Sequence, residues 1–119
     1  MVVKHCLVAD ESAVLRKVAR RILQDFEYRV SEAENGERAL SLCETEMPDA
    51  VLVAADMPVM DGYEFLKQLR LLPLGDGPKV VFCTTENDVA HIARALGAGA
   101  DDYVLKPFDK DVLRPKFQP

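Results

Sequence analysis

The chain has 119 residues, 49% of them hydrophobic, with 15 basic and 20 acidic side chains giving a net charge of −5. That length suits one core, so residues 1–119 are expected to form a single domain with no output domain attached. The acidic balance argues against nucleic-acid binding, since nothing forms a phosphate-neutralising basic stripe, and no apolar run nears the roughly 20 residues that span a bilayer.

The first apolar run, HCLVA (5–9), stops at the acids Asp10 and Glu11, too short for a secretory signal, so a cytoplasmic protein is expected. Ser12 can cap the helix AVLRKVARRILQDF, where Val14, Val18 and Ile22 repeat at four-residue spacing beside Leu15 and Ala19. Arg16, Lys17, Arg20 and Arg21 read as its solvated face. YRVSEA (28–33) is a shorter, more polar strand, and NGERALSLCETE (35–46) a second helix. AVLVAA (50–55) is apolar throughout and runs into the loop DMPVMDG, which opens the helix GYEFLKQLRLL (62–72). A surface loop, LPLGDGPK (72–79), leads to the strand KVVFCT (79–84) and the helix NDVAHIARALGAG (87–99), stopped by Gly97 and Gly99. DYVLK (102–106) is the fifth strand, and Pro115 shortens or kinks a last helix beginning near Asp109. Cys6, Cys43 and Cys83 are odd in number and far apart, which suits buried free thiols better than a disulfide or metal site.

Strands apolar nearly throughout are buried on both faces. Their alternation with helices predicts an α/β fold with a parallel sheet between helical layers. In such sheets the functional crevice lies beyond the carboxyl ends of the strands. There the sequence puts Asp10 and Glu11, then Asp56, Thr84 and Lys106. Neighbouring carboxylates repel unless a cation lies between them, and Mg²⁺ is satisfied by two or three protein oxygens plus water. A lysine and a hydroxyl opposite would clamp the oxygens of a phosphoryl group. Singly, each residue has a plainer reading: helix-dipole acids, a structural threonine, a surface lysine, and Tyr103 as an edge-strand aromatic.

The motifs VADES (8–12), DMPVMDG (56–62), FCTTE (82–86) and GADDYVLKPF (99–108) together resemble a response-regulator receiver domain of the single-domain chemotaxis-regulator type, over essentially the whole chain. The resemblance implies a flavodoxin-like (βα)5 three-layer sandwich with strand order 2-1-3-4-5. It implies that Asp10, Glu11 and the backbone carbonyl of Asp56 hold Mg²⁺, while Thr84 and Lys106 hold the phosphoryl group. Tyr103 would swing with Thr84 as the switch, the Lys106–Pro107 bond would be cis, and Asp61 and Gly62 would shape the loop and start the third helix. It also implies a histidine kinase or histidine phosphotransfer protein upstream. A downstream target would meet the face of the fourth helix, fifth strand and fifth helix, roughly Asn87 to Phe117, with His91, Arg94, Lys110 and Arg114 lending it basic character. The chain is expected to be a monomer and no enzyme.

In receivers the phosphoacceptor aspartate stands three residues before the methionine of the MP pair, and counting back from Met57 gives Ala54. Asp56 is a poor substitute, because two residues further on advance the chain by roughly 6–7 Å, beyond in-line reach. The expectation is a receiver that cannot be phosphorylated and has weakened Mg²⁺ binding. A lone Asp→Ala change, leaving the other site residues intact, reads as a deliberate substitution. The alternative is a natural pseudo-receiver acting as a phosphate-independent interaction module. A flavin-binding redox protein would need donors and glycines where ADES (9–12) puts acids, and an aspartate phosphatase would need a cap above Asp10.

Overall fold

A computed structural model describes residues 3–85 and 89–118. Ten elements alternate: β1 (His5–Ala9), α1 (Ala13–Asp25), β2 (Arg29–Ala33), α2 (Gly36–Thr45), β3 (Ala50–Ala54), α3 (Gly62–Leu71), β4 (Lys79–Thr84), α4 (Val89–Gly97), β5 (Asp102–Leu105) and α5 (Lys110–Phe117). All strand pairs are parallel, in the order β2-β1-β3-β4-β5, the expected sheet. The expected start of the fourth helix at Asn87 and Asp88, and Glu86 of the FCTTE motif, lie outside the described residues.

Side chains alternate between two apolar layers, as strands buried on both faces require. On one side Leu7, Val51, Val53 and Phe82 meet Cys43 of α2, Phe65 and Leu66 of α3 and Ala95 of α4. On the other, Val8, Leu52, Val81 and Val104 meet Ala19 and Leu23 of α1 and Leu113 and Phe117 of α5. The helices begin where short polar side chains can take up an unsatisfied N–H. Ser12, Asn35, Asp61 and Asp109 each accept from the backbone N–H three residues on. Pro115 lies inside α5, which keeps its eight residues.

Helix α1 corrects one expectation. Val14 and Val18 face outward, 75% and 46% exposed, and the buried stripe runs instead through Ala19 and Leu23 toward Phe26. Two apolar ladders overlap in this sequence; the inward one carries an alanine, whose small side chain lets α1 sit close to the sheet. Its basic face is only partly solvated, since Arg16 and Arg20 both pair with Glu32, at 3.2 and 2.6 Å.

Candidate functional site

Strand β3 delivers its last residue, Ala54, to the upper edge of the sheet in register with Cys83 of β4. The start of α3 fixes that end. A Cβ on Gly62 would stand 2.2 Å from the Ala54 carbonyl oxygen, so only glycine fits, and the Gly62 N–H donates to the Ala55 carbonyl at 3.0 Å. The loop between them is tightly drawn: the Met60 N–H donates to Pro58 O, and Met60 O accepts from the Gly36 N–H. Val59, 76% exposed, is held at φ 69°, where a β-branched residue stores on the order of 1–3 kcal/mol of strain.

This edge forms a cleft of about 230 Å³ whose walls include Asp10, Glu11, Asp56, Cys83, Thr84 and Lys106. The five polar residues that the sequence singled out at the strand ends therefore share one cleft. Ala54 ends β3 and is buried, 1% exposed, while its neighbour Ala55 is the alanine that lines the cleft. The Lys106–Pro107 peptide is cis, as expected, and turns the chain after β5. Lys106 Nζ donates to Asp10 Oδ2 at 2.7 Å, while Asp10 Oδ1 accepts from the Ser12 N–H at 2.9 Å. Asp10 is nearly closed off from solvent, its side chain 4% exposed, so the ion pair and the turn bond satisfy a charge that would otherwise be costly to bury. Glu11 and Asp56 remain exposed.

Cys83 is the other group in the cleft with nucleophilic chemistry, but burial pushes its thiol up to about 12, only partly opposed by Lys106. It stays protonated near neutral pH and is no nucleophile. Among the described residues no three His, Cys, Asp or Glu side chains form a ready-made metal centre. The donor set nonetheless suits Mg²⁺, which takes hard oxygens, keeps several waters and needs only one or two carboxylates beside a carbonyl.

Thr84 faces two ways. It lines the cleft, and its hydroxyl lies 3.3 Å from Nε2 of His91 on α4, which also lies 2.9 Å from the Tyr63 hydroxyl on α3. The meeting of His91 with Tyr63 escaped the sequence reading because no motif joins residues 28 positions apart on two helices. Of the residues expected to lend charge to an outer face, Arg94 is exposed with its guanidinium 3.8 Å above the Tyr63 ring, while His91 is half-buried against Tyr63 and Thr84. Tyr103 is half-buried on the edge strand β5.

Residues 6–118 match the family model for the response regulator receiver domain. The chain is 39% identical over 112 residues to the response regulator MprA of Mycolicibacterium vanbaalenii, covering 94% of this chain and 48% of that protein. It spans less than half the length of that relative. It is 33% identical over 107 residues to the chemotaxis protein CheY of Halobacterium salinarum, covering 90% of this chain and 88% of that one. Among solved structures it resembles the receiver domain of the sensor histidine kinase PA1611 of Pseudomonas aeruginosa, which holds a magnesium ion in its active-site cleft. That match has 26% identity and a TM-score of 0.90, covering 98% of this chain and 96% of the other. Among the described residues no helix is long and apolar enough to cross a membrane.

Proposed function

The chain belongs to the response regulator receiver domain family, and on that premise we propose that it is a receiver of two-component signalling with alanine, Ala54, at the phosphoacceptor position, so that it acts by docking rather than by carrying phosphate. The observation that carries this reading is the cleft itself. A lysine, a hydroxyl and acidic side chains line it around a strand end where the one missing group is a carboxylate at position 54. Asp10 and Glu11 would hold Mg²⁺ with the Asp56 carbonyl, and the magnesium in the Pseudomonas receiver supports that assignment. When bound, the ion supplies positive charge to the oxygens of a phosphoryl group. Lys106 would pair with those oxygens and Thr84 would donate to them. To ligate the metal through Oδ2, Asp10 must first be released by Lys106.

A histidine kinase or phosphotransfer protein fits upstream. Downstream, Val89 and Leu96 leave α4 with exposed apolar side chains on the face that α4, β5 and α5 share, a surface for a target protein. The domain would act there as a monomer.

A second reading, a natural pseudo-receiver, draws on the same ion pair. A lysine stranded without its central partner would be costly to keep, but Lys106 has Asp10, so this site carries no such cost. One experiment separates the two readings: intact mass after acetyl phosphate and Mg²⁺, for the chain and for Ala54→Asp. A receiver that lacks only its acceptor gains a phosphoryl group in the Ala54→Asp form alone. Uptake by neither form supports the pseudo-receiver, and uptake by the unaltered chain contradicts the assignment of Ala54.

A further inference from the structure

Between α3 and α4 lies a groove of about 480 Å³ that shares no lining residue with the cleft at the strand ends. Asp61, Glu64 and Lys67 follow one another along its α3 wall at three-residue spacing, and Arg94, Gly97 and Ala98 form the wall opposite. The groove stays open because that wall ends in small residues: a Cβ on Gly97 would meet nothing within 4 Å. Arg94 is exposed, and its guanidinium carbon stands 3.8 Å above the centroid of the buried Tyr63 ring. A planar guanidinium over an aromatic ring keeps a second flat face on which a further ring can stack.

The charges lining this groove are not matched to one another. Among the described residues Asp61, Glu64, Lys67 and Arg94 join no ion pair, although Glu64 and Lys67 stand one helical turn apart. Asp61 is committed to the helix cap, accepting from the Glu64 N–H through Oδ1 at 2.9 Å. A ligand that answers this wall carries an anionic group for Lys67, N–H donors for the Glu64 carboxylate and a flat ring system for Arg94. Of the common nucleobases guanine alone offers two adjacent N–H donors on one edge, its ring imino and exocyclic amino groups, which one carboxylate accepts together. Glu64 and Lys67 are separated by roughly 4.5 Å along the helix axis, at 1.5 Å per residue. A nucleoside's sugar and the long lysine side chain span the remainder. We propose that this groove binds a guanine nucleotide, its base stacked on Arg94 and held at its edge by Glu64, its phosphate paired with Lys67. The chain's net charge of −5 disfavours a long polyanion, so the ligand is a free nucleotide rather than a strand of RNA. The site stands apart from the phosphoryl reading of the cleft and does not depend on it.

The test is a titration of the unaltered chain with guanosine monophosphate in EDTA, which keeps metal out of the cleft, followed by amide shifts in proton–nitrogen NMR spectra. Amides around Glu64, Lys67, Arg94 and Gly97 are expected to move, while those of Asp10 and Lys106 stay in place. Adenosine monophosphate lacks the paired donors and is expected to bind roughly tenfold more weakly, as the loss of a charge-assisted hydrogen bond dictates. Lys67→Ala should weaken both nucleotides alike by a similar factor, whereas Glu64→Gln should remove most of the preference for guanine. Gly97→Leu sends a side chain into the open groove and should abolish binding. Its thermal melt should not fall, because leucine is the better helix former. No guanosine-dependent shift in α3 and α4 at millimolar nucleotide overturns the proposal. Equal affinity for the two nucleotides and inorganic phosphate, or binding that survives Gly97→Leu, overturns it as well.

Discussion

The two ends of the parallel sheet use similar side chains to opposite effect. At the lower end polar groups are committed to the backbone. Arg70 donates to the carbonyls of Gly75, Pro78 and Gly99, at 2.9, 3.0 and 2.9 Å, and to the Asp101 carboxylate at 3.1 Å. Asp101 in turn accepts from the Val80 N–H, Asp49 from the His5 N–H, and the Phe117 carbonyl from the Tyr28 hydroxyl. At the upper end the charged groups line an open cleft, and there a lysine is paired with the carboxylate that a metal would need. Contacts to fixed carbonyls hold a fold in place. Contacts between side chains can be exchanged, which suits the proposed role of this cleft as a metal and phosphoryl site.

Substitutions at the lower end should therefore cost stability alone, and those at the upper end should also alter binding. Arg70→Ala leaves several carbonyls without their donor, and is expected to destabilise the domain by about 3 kcal/mol in urea unfolding. It should leave phosphoryl uptake in the Ala54→Asp background unchanged. Lys106→Met strands the buried Asp10 charge, with an expected loss of about 2 kcal/mol, less than a fully buried pair would give because the Lys106 side chain is 22% exposed. Asp10→Asn removes the buried charge itself and should cost less, about 1 kcal/mol; equal losses would contradict the asymmetry in burial. Ala54→Asp adds a further carboxylate to the cleft that already holds Asp10, Glu11 and Asp56, and in EDTA it should lower stability by about 1 kcal/mol, with Mg²⁺ reversing the order. Identical melts with and without Mg²⁺ would count against that.

The smallest expected effect lies at the lower end. Burial, aided by Arg29, holds the His5 imidazole below its usual value of 6.5, and its Nδ1 has no hydrogen-bond partner among the described residues. The folded state thus favours the neutral ring. As pH falls the unfolded chain takes up the proton first, so this contribution is complete above 6.5 and fades as pH drops through it. The urea midpoint should fall modestly between about pH 7.5 and pH 5.5, and His5→Gln should flatten the slope.

The strands were legible because a central parallel strand is apolar on both faces, leaving little doubt over VLVA or VVFC. Helix starts were legible wherever a capping side chain preceded an apolar ladder, as at Ser12 and Asp61. The facing of α1 was not, because the ladder through Val14 and the one through Ala19 have the same period, and only packing against the sheet chooses between them. At the cleft, the gathering of Asp10, Thr84 and Lys106 followed from their places after strands. That Lys106 pairs with Asp10 did not follow, since it depends on side-chain reach across β1 and β5. The contact between Tyr63 and His91 was not legible in the sequence, because it is set by how α3 and α4 close over β4.

The central claim is that position 54, not position 56, is the site the rest of the cleft surrounds. The direct measurement is intact mass after acetyl phosphate and Mg²⁺ for a chain carrying both Ala54→Asp and Asp56→Ala, beside the unaltered chain. We predict that the doubly substituted chain gains a phosphoryl group and the unaltered chain does not, because the Asp56 side chain is not needed. Uptake by the unaltered chain that disappears with Asp56→Ala would contradict the account.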